Sequence, residues 1–176
     1  MSYTNGLDTP SDYFSTKLYT GTGANQSITG VGHQPDLVWI KDRTNTNNQV
    51  WTDSVRGVEK VILSNANNAE TTYTDGLVAF TSDGFNLGDD DDGQMNVSGN
   101  ACVSWNWKAG GSASSNTDGS ITSTVSANTT AGFSIVKYTG NGSAGATLGH
   151  GLGVAPSVII LKGLVGSREW AVYHTG

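Results

Sequence analysis

Short runs of alternating or β-branched residues, each bounded by Gly, Asn or Asp turns, are the feature that most restricts the fold of this chain. No stretch repeats apolar residues with the spacing of an amphipathic helix over three turns. Many short strands separated by such turns predict an all-β protein, an antiparallel β-sandwich or barrel with almost no helix. We expect strands at Ser15–Tyr19, Asp36–Lys41, Gln49–Asp53, Lys60–Leu63, Leu77–Phe80, Phe85–Leu87, Ala101–Lys108, Ser120–Ser126, Phe133–Tyr138, Ser157–Lys162 and Trp170–Tyr173.

The chain also repeats part of itself. Phe14–Gly23 matches Phe133–Gly142 at an offset of 119 residues, and Gly32–Lys41 matches Gly153–Lys162 at an offset of 121. Both copies contain an aromatic strand, a Gly-rich turn, a proline and a strongly apolar strand in the same order. Such order over this length indicates an internal repeat rather than chance.

The second copy is shorter than the first. Trp170 in the second copy corresponds to Trp51 in the first, but the second copy has no counterpart of the strands expected between Lys60 and Lys108. We therefore predict three parts: a first β-sandwich unit (1–111), a Gly-, Ser-, Thr- and Asn-rich connector with one strand (112–131) and an incomplete second repeat (132–176). The incomplete repeat cannot close the same sandwich alone. Either the chain is a fragment of a longer protein, which we favour, or these strands complete a partner or the first unit.

The strand Ala101–Lys108 shows the clearest alternation of side chains. Two tryptophans two residues apart share one face of a strand with Val103, while Ser104 and Asn106 point to the other face. We interpret the tryptophan side as core, with a carbohydrate-stacking platform as the alternative. The predicted core comprises Val38, Ile40, Val103, Trp105, Trp107, Ile135, Ile159 and Leu161.

Several short motifs together resemble an uncharacterised repeat domain of marine phage proteins, including those of cyanophages. They include Tyr19–Gly23, Ile28–Lys41, Asp53–Gly57, Ser82–Phe85, Trp105–Gly111, Thr117–Ser123 and Gly132–Val136, and they cover nearly the whole chain. The resemblance implies a lectin-like, concanavalin-type (jelly-roll) β-sandwich on tail fibres or other virion appendages. It supplies no catalytic residues.

Charge and cysteine content exclude several other classes of protein. The net charge of −6 repels phosphate backbones, so we expect no nucleic-acid partner. The longest apolar run, around Val158–Leu161, is too short to span a membrane. Cys102 is the single cysteine, so the chain has no intrachain disulfide. The first residues, Met1–Gly6, lack the features of a secretory signal, so we expect release by host lysis into an extracellular virion.

The acidic run Asp89–Asp92 is the strongest candidate in the sequence for a functional site. Clustered carboxylates in a Gly turn supply the oxygen ligands that Ca²⁺ prefers, although the spacing is not that of an EF-hand. The alternative is a solvated acidic turn between two strands. The calcium ligands predicted on this basis are Asp89, Asp90, Asp91, Asp92 and Asn96.

Three functions follow from these observations. The first is a non-enzymatic structural domain of a tail fibre or capsid fibre that contributes to host attachment. Its partners would be other virion proteins and copies of itself, in a symmetric oligomer that phage-fibre analogy makes a trimer. The second is a carbohydrate-binding adhesin for a host surface glycan, with Trp39, Trp51, Tyr73 and Trp170 as candidate contacts.

The third function is a fragment of a polysaccharide depolymerase. Hydrolysis needs a carboxylate pair in a cleft, and no spacing in the sequence pairs the candidates Asp36, Asp42, Asp53, Glu59 and Glu70. We therefore expect no enzymatic activity.

Overall fold

A computed structural model describes residues 9–176 of the chain. The start of the predicted first unit, including the segment considered for a secretory signal, lies outside the described residues. Within them, the helical structure is one 3-10 turn at Pro10–Asp12, and no helix is long and apolar enough to cross a lipid bilayer. The prediction of an all-β chain with almost no helix is confirmed.

Residues 9–176 form fourteen strands, and each predicted strand corresponds to one of them within a few residues. Three short strands, Gln26–Ile28, Thr71–Thr72 and Ser114–Asn116, were not predicted, because two or three residues are too few to show a periodicity. The strands are β1 (Phe14–Thr20), β2 (Gln26–Ile28), β3 (Leu37–Asp42), β4 (Gln49–Asp53), β5 (Lys60–Leu63), β6 (Thr71–Thr72), β7 (Leu77–Thr81), β8 (Gly84–Leu87), β9 (Ala101–Trp107), β10 (Ser114–Asn116), β11 (Ser123–Asn128), β12 (Phe133–Tyr138), β13 (Val158–Lys162) and β14 (Trp170–His174).

The first unit is a sandwich of two antiparallel sheets. One sheet has the strand order β1-β9-β3-β4-β5-β6, and the other has the order β2-β8-β7. Strand β9 comes late in the chain yet inserts between β1 and β3 and pairs with both. The sheet is therefore held together by contacts between residues far apart in sequence.

A buried apolar cluster fills the space between the two sheets. Strands β3, β4 and β5 contribute one side, strands β2, β7 and β8 the other, and Met95 enters from the loop before β9. Phe85 and Leu77 at the centre are fully buried. The cluster comprises Ile28, Val38, Ile40, Val50, Val61, Leu63, Leu77, Phe85, Leu87 and Met95.

The prediction that Trp105 and Trp107 of strand β9 lie in the core is wrong. The alternation of β9 is as predicted, but the face directed at the second sheet carries Ser104 and Asn106, which are fully buried opposite Ile40 and Val38. Trp105 lies on the outer face of the six-stranded sheet and, like Trp107, is only half-buried. Alternation determines which residues share a face, whereas the position of the second sheet decides which face is inside.

Small polar side chains on the inner face of β9 form hydrogen bonds with one another, although Asn106 Oδ1 is buried without a partner among the described residues. The amide of Asn106 donates to Ser104 Oγ at 3.1 Å and to the carbonyl oxygen of Ser15 at 3.2 Å. Buried amides are tolerated where they find such partners. These hydrogen bonds offset part of the cost of placing polar side chains on the inner face while the tryptophans lie outside.

The remaining part of the chain forms two further small sheets. The connector contributes two strands rather than the one predicted: β10 and β11 pair with each other, and β11 pairs with β12. Strands β13 and β14 form a separate hairpin, here called the C-terminal hairpin. In this region the predicted core residue Ile135 is half-buried, and Ile159 and Leu161 are exposed, because the described chain provides no second layer over them.

Strand pairing also revises the alignment of the two copies. Lys41 pairs with Gln49 in the first copy, and Lys162 pairs with Trp170 in the second. The offset of 121 residues that relates β3 to β13 therefore also relates β4 to β14. The counterpart of Trp170 is Gln49, and Trp51 corresponds instead to Val172.

Candidate functional site

The outer face of the six-stranded sheet carries four tryptophans, here called the tryptophan face. Trp39 on β3 lies directly opposite Trp51 on β4 and Trp105 on β9, so three indoles form a row across three adjacent strands. Trp107 lies two residues after Trp105 on β9 and therefore on the same face. Directly opposed residues in antiparallel strands are close enough for their side chains to pack.

The rings of the tryptophan face are in continuous contact. The ring centroid of Trp39 lies 5.4 Å from that of Trp51, 5.0 Å from that of Trp105 and 6.5 Å from that of Trp107. Phe14 packs at 4.9 Å against Trp107 from strand β1. These separations fall within the range of favourable aromatic pairs. The face is a rigid aromatic surface rather than a set of isolated side chains.

Two indole N–H groups on this surface lack hydrogen-bond partners. Nε1 of Trp39 and Nε1 of Trp51 are buried, and neither donates to a protein acceptor among the described residues. A buried donor without an acceptor costs about 1–3 kcal/mol.

The second repeat packs onto the tryptophan face at two points. Trp170 of the C-terminal hairpin meets Trp51 edge to face at 5.1 Å, and Phe133 of β12 stacks on Trp107 at 6.4 Å. Nε1 of Trp170 also donates to the carbonyl oxygens of Leu63 and Ala66, each at 3.0 Å. All five tryptophans of the chain thus belong to one aromatic cluster.

Polar contacts reinforce the junction at Trp170. The amide of Asn67 donates to Glu169 Oε1 at 2.8 Å, and the ammonium group of Lys162 donates to the carbonyl oxygens of Asn67 and Arg168. The backbone N–H of Arg168 donates to the carbonyl oxygen of Asn67 at 2.9 Å. The loop after β5 and the hairpin are therefore joined by hydrogen bonds as well as by the indole.

An open groove lies beside this junction. It is lined by Trp170, by three residues of the 64–67 loop with polar groups and by Glu169. An indole next to amide and carboxylate side chains is the arrangement that the adhesin hypothesis requires. The amide of Asn65 already donates to Asn48 Oδ1, so a ligand would compete with part of this network.

The structure brings together three of the four predicted glycan contacts. Trp39, Trp51 and Trp170 lie in the aromatic cluster, whereas Tyr73 packs against the interior core. Burial raises the pKa of the Tyr73 hydroxyl, and the charges of Asp92 and Asp90 add to the effect. Tyr73 therefore lies beside the acidic run and not on the tryptophan face.

The acidic run Asp89–Asp92 splits into one buried and three exposed carboxylates. Asp90 is buried in the left-handed region, with φ of 60°, and its Oδ2 accepts from the backbone N–H groups of Met95 and Asn96 at 2.7 and 2.6 Å. Burial raises the pKa of Asp90 despite these hydrogen bonds. The carboxylate shapes the loop that delivers Met95 to the core.

Asn96 is committed to the same loop. Its amide donates to the carbonyl oxygens of Ala24 and Gly88, and its Oδ1 accepts from the backbone N–H of Thr22 at 2.9 Å. The side chain is fully buried and connects the loop between β1 and β2 with the loop between β8 and β9. With its Oδ1 engaged in this way, Asn96 acts as a structural residue at this end of the sandwich.

Within residues 9–176, no three His, Cys, Asp or Glu side chains come together as a metal site. Oδ1 of Asp90 is buried without a hydrogen-bond partner, and Asp89, Asp91 and Asp92 project from the surface. Calcium binding by this run stays a prediction, and melting experiments with and without Ca²⁺ test it directly.

Asp42 organises the neighbouring loop after β3. Its Oδ1 accepts from the backbone N–H groups of Thr44 and Asn45, and its Oδ2 accepts from the side-chain amides of Asn47 and Asn100. Burial alone would raise the pKa of Asp42, but these four hydrogen bonds hold the pKa below its ordinary value. Asn47 also donates to the carbonyl oxygen of Gly93, which ties this loop to the acidic run.

Other carboxylates considered for hydrolysis also have structural partners. Asp36 accepts from the hydroxyl of Ser54 and from the backbone N–H groups of Ala109 and Gly111. The guanidinium group of Arg56 pairs with both Asp53 and Glu70. These side chains hold strand ends and loops in place.

Sequence reasoning missed the full extent of the aromatic cluster. Trp105 and Trp107 were predicted in the core, and neither Phe14 nor Phe133 was singled out. A weak signal was present, because an aromatic residue follows Gly132 in the second copy as Phe14 opens the first. Their contact with Trp107, however, depends on β9 lying between β1 and β3.

Comparison with known proteins gives one match. A family model described as a domain of unknown function, DUF7483, matches residues 9–176. No curated protein and no solved structure matches the chain.

Proposed function

The chain belongs to the DUF7483 family, a domain of unknown function, and from that premise we propose that it is a non-enzymatic structural module of a bacteriophage virion appendage. The appendage is a tail fibre or capsid fibre that contributes to host attachment, and its concanavalin-like sandwich serves assembly. The virion is the site of action, and other virion proteins and copies of the chain are its partners.

The observation that carries this proposal is the packing of two repeat units on one aromatic face. Trp170 of the second repeat packs on Trp51 of the first, with ring centroids 5.1 Å apart. Phe133 packs on Trp107 in the same way, with ring centroids 6.4 Å apart. A module that joins its neighbour through rigid aromatic side chains suits an extended fibre, since repeats need contact only the units next to them. The resemblance of the sequence motifs to those of phage appendage proteins supplies the viral part of the proposal.

The use of carboxylates supports a non-enzymatic role. Asp36, Asp42 and Asp53 each accept several hydrogen bonds from loops and strand ends. A hydrolase needs two carboxyl groups that face a substrate across a cleft. Carboxylates already engaged in holding the scaffold are poorly suited to that task.

Immunogold electron microscopy of phage particles tests the proposal. Antibodies against the chain should label a tail or capsid appendage of a phage that encodes it, and they should block adsorption to host cells. Particles of a phage without the coding sequence serve as the control. Absence of label from purified particles, with the protein present only in the lysate, would contradict the proposal.

A carbohydrate-binding adhesin is the second candidate, favoured by the open groove beside Trp170. Asn67 and Glu169 line this groove next to the indole, so a sugar could stack on the ring while its hydroxyls bond to the polar groups. A glycan array tests this function. Binding that is lost in Trp170→Ala and kept in the distant variant Tyr138→Ala would support it, and an array without signal would contradict it.

A further inference from the structure

Equivalent residues in the two copies differ sharply in exposure. Val38 and Ile40 on β3 are each 1% exposed, whereas their counterparts on β13, Ile159 and Leu161, are 38% and 43% exposed. The opposite face of β13 is also open, with Val158 at 48% and Ile160 at 47%. Strand β13 has the apolar sequence of a central strand, but among the described residues no layers bury it as β3 is buried in the first unit.

Within residues 9–176, the backbone edges of β12 and β13 also lack partners that their counterparts have in the first unit. In the first unit β9 lies between β1 and β3 and pairs with both along most of their length. Strand β12, the counterpart of β1, pairs with β11, and β13, the counterpart of β3, pairs with β14. Within the described residues, each keeps one free edge where β9 lies in the first copy. Free apolar edges favour the addition of another strand.

We infer that residues 132–176 are an acceptor half-unit for a polypeptide segment with the strand pattern of residues 60–107. The central strand of that segment would insert between β12 and β13, with small polar residues on its inner face and aromatic residues on its outer face, as in β9. Its other strands would cover Ile159 and Leu161 as Phe85 and Leu87 cover Val38 and Ile40.

An intact second copy is a poor source of this segment. Its own β9 is already hydrogen-bonded to β1 and β3, so donation would require the first unit to open. The occupant is therefore a segment that resembles residues 60–107 and belongs to a neighbouring repeat of the same domain family. This inference rests on the repeat and the strand register, and it holds or fails independently of a virion location.

A chain extension tests the inference. A second copy of residues 56–111 is joined after Gly176, which continues the register because the offset of 121 aligns Gly176 with Val55. We expect amide exchange in β12 and β13 to slow by about tenfold or more relative to the parent chain. The expected protection should include the amides of β13 that do not face β14.

The matched control is the same extension with the appended copies of Leu77 and Phe85 replaced by Asp. This extension should remain unprotected and should leave β13 exchange at the parent rate, since the covering layer cannot bury its apolar residues. An unmodified extension that stays protease-sensitive, with β13 exchange unchanged, would overturn the inference.

A pair of equivalent substitutions in the parent chain provides a second test that does not depend on the extension. Ile159→Asp should leave the melting temperature of the first unit within about 2 °C of the parent value, because the side chain is uncovered. Val38→Asp should prevent folding, because it places a charge in the core. If Ile159→Asp is as damaging as Val38→Asp, the hairpin is already covered and the inference fails. In the extended chain, Ile159→Asp should abolish the gained protection.

Discussion

The indole of Trp170 meets the indole of Trp51 edge to face, with ring centroids 5.1 Å apart and an interplanar angle of 71°. The same indole donates to the carbonyl oxygens of Leu63 and Ala66. One side chain therefore anchors the C-terminal hairpin to the first unit through both its ring and its N–H group. The two tryptophans lie in corresponding hairpins of the two copies, and in the structure they are packing partners.

Removal of the Trp170 ring should release the hairpin. Trp170→Ala deletes one bifurcated hydrogen bond and an aromatic pair, so we expect docking to weaken by about 1.5–3 kcal/mol. Amide exchange in β13 and β14 should then accelerate by about tenfold to a hundredfold, while the first unit stays protected. Tyr173→Ala, at an exposed position of the same hairpin, is the control and should have little effect. Unchanged exchange in Trp170→Ala would show that other contacts anchor the hairpin.

The two faces of the six-stranded sheet should contribute unequally to stability. Phe85 is fully buried between the sheets, so Phe85→Ala should cost about 3–5 kcal/mol in urea unfolding. Trp105 is half-buried on the outer face, so Trp105→Ala should cost less than about 2 kcal/mol. Equal losses would mean that the tryptophan face is as important a core as the interior cluster.

Asp42 should make stability fall in acid. Its folded-state pKa is below the ordinary value, so its contribution is fully present above that value and is lost as the pH falls through the folded pKa. We expect Asp42→Asn to cost about 2–3 kcal/mol at pH 7 and to flatten the decline below about pH 4. Urea unfolding at a series of pH values measures both effects. A variant that declines as steeply as the parent would assign the acid sensitivity to other carboxylates.

Buried Cys102 should be unreactive in the folded protein. Burial raises the pKa of its thiol to about 11, and the nearby charge of Asp42 acts in the same direction. Because the thiolate is the reactive form, a disulfide reagent at pH 8 should label the native chain far more slowly than the urea-unfolded chain. Equal labelling rates would show that β9 opens readily.

Calcium binding and the structural role of the acidic run can be separated by melting experiments. If the acidic run Asp89–Asp92 binds calcium as predicted, the melting temperature should be higher with Ca²⁺ than with EDTA, and Asp91→Asn should reduce the difference. Asn96→Ala should cost about 2–3 kcal/mol with or without the ion, because it removes three hydrogen bonds that join two loops. Identical melts with Ca²⁺ and EDTA would contradict the calcium prediction.

The local pattern of the sequence determined the strands and the residues that share a face. Period-two alternation and Gly, Asn and Asp turns were sufficient to locate β4 and β12 to the residue, because both signals act over a few neighbouring positions. The same pattern grouped Trp105 with Trp107 and separated both from Asn106. The repeat showed that β12 and β13 are copies of β1 and β3 before any contact was known.

Only the tertiary structure decided which face of each strand is inside. Asn106 is buried because the second sheet covers its face of β9. Trp105 is only half-buried because it lies on the other face, where it packs against Trp39 and the second sheet does not reach. The insertion of β9 between β1 and β3, and the docking of Trp170 on Trp51, join residues far apart in the chain. Local periodicity carries no information about such pairings, since they depend on how complete sheets pack against one another.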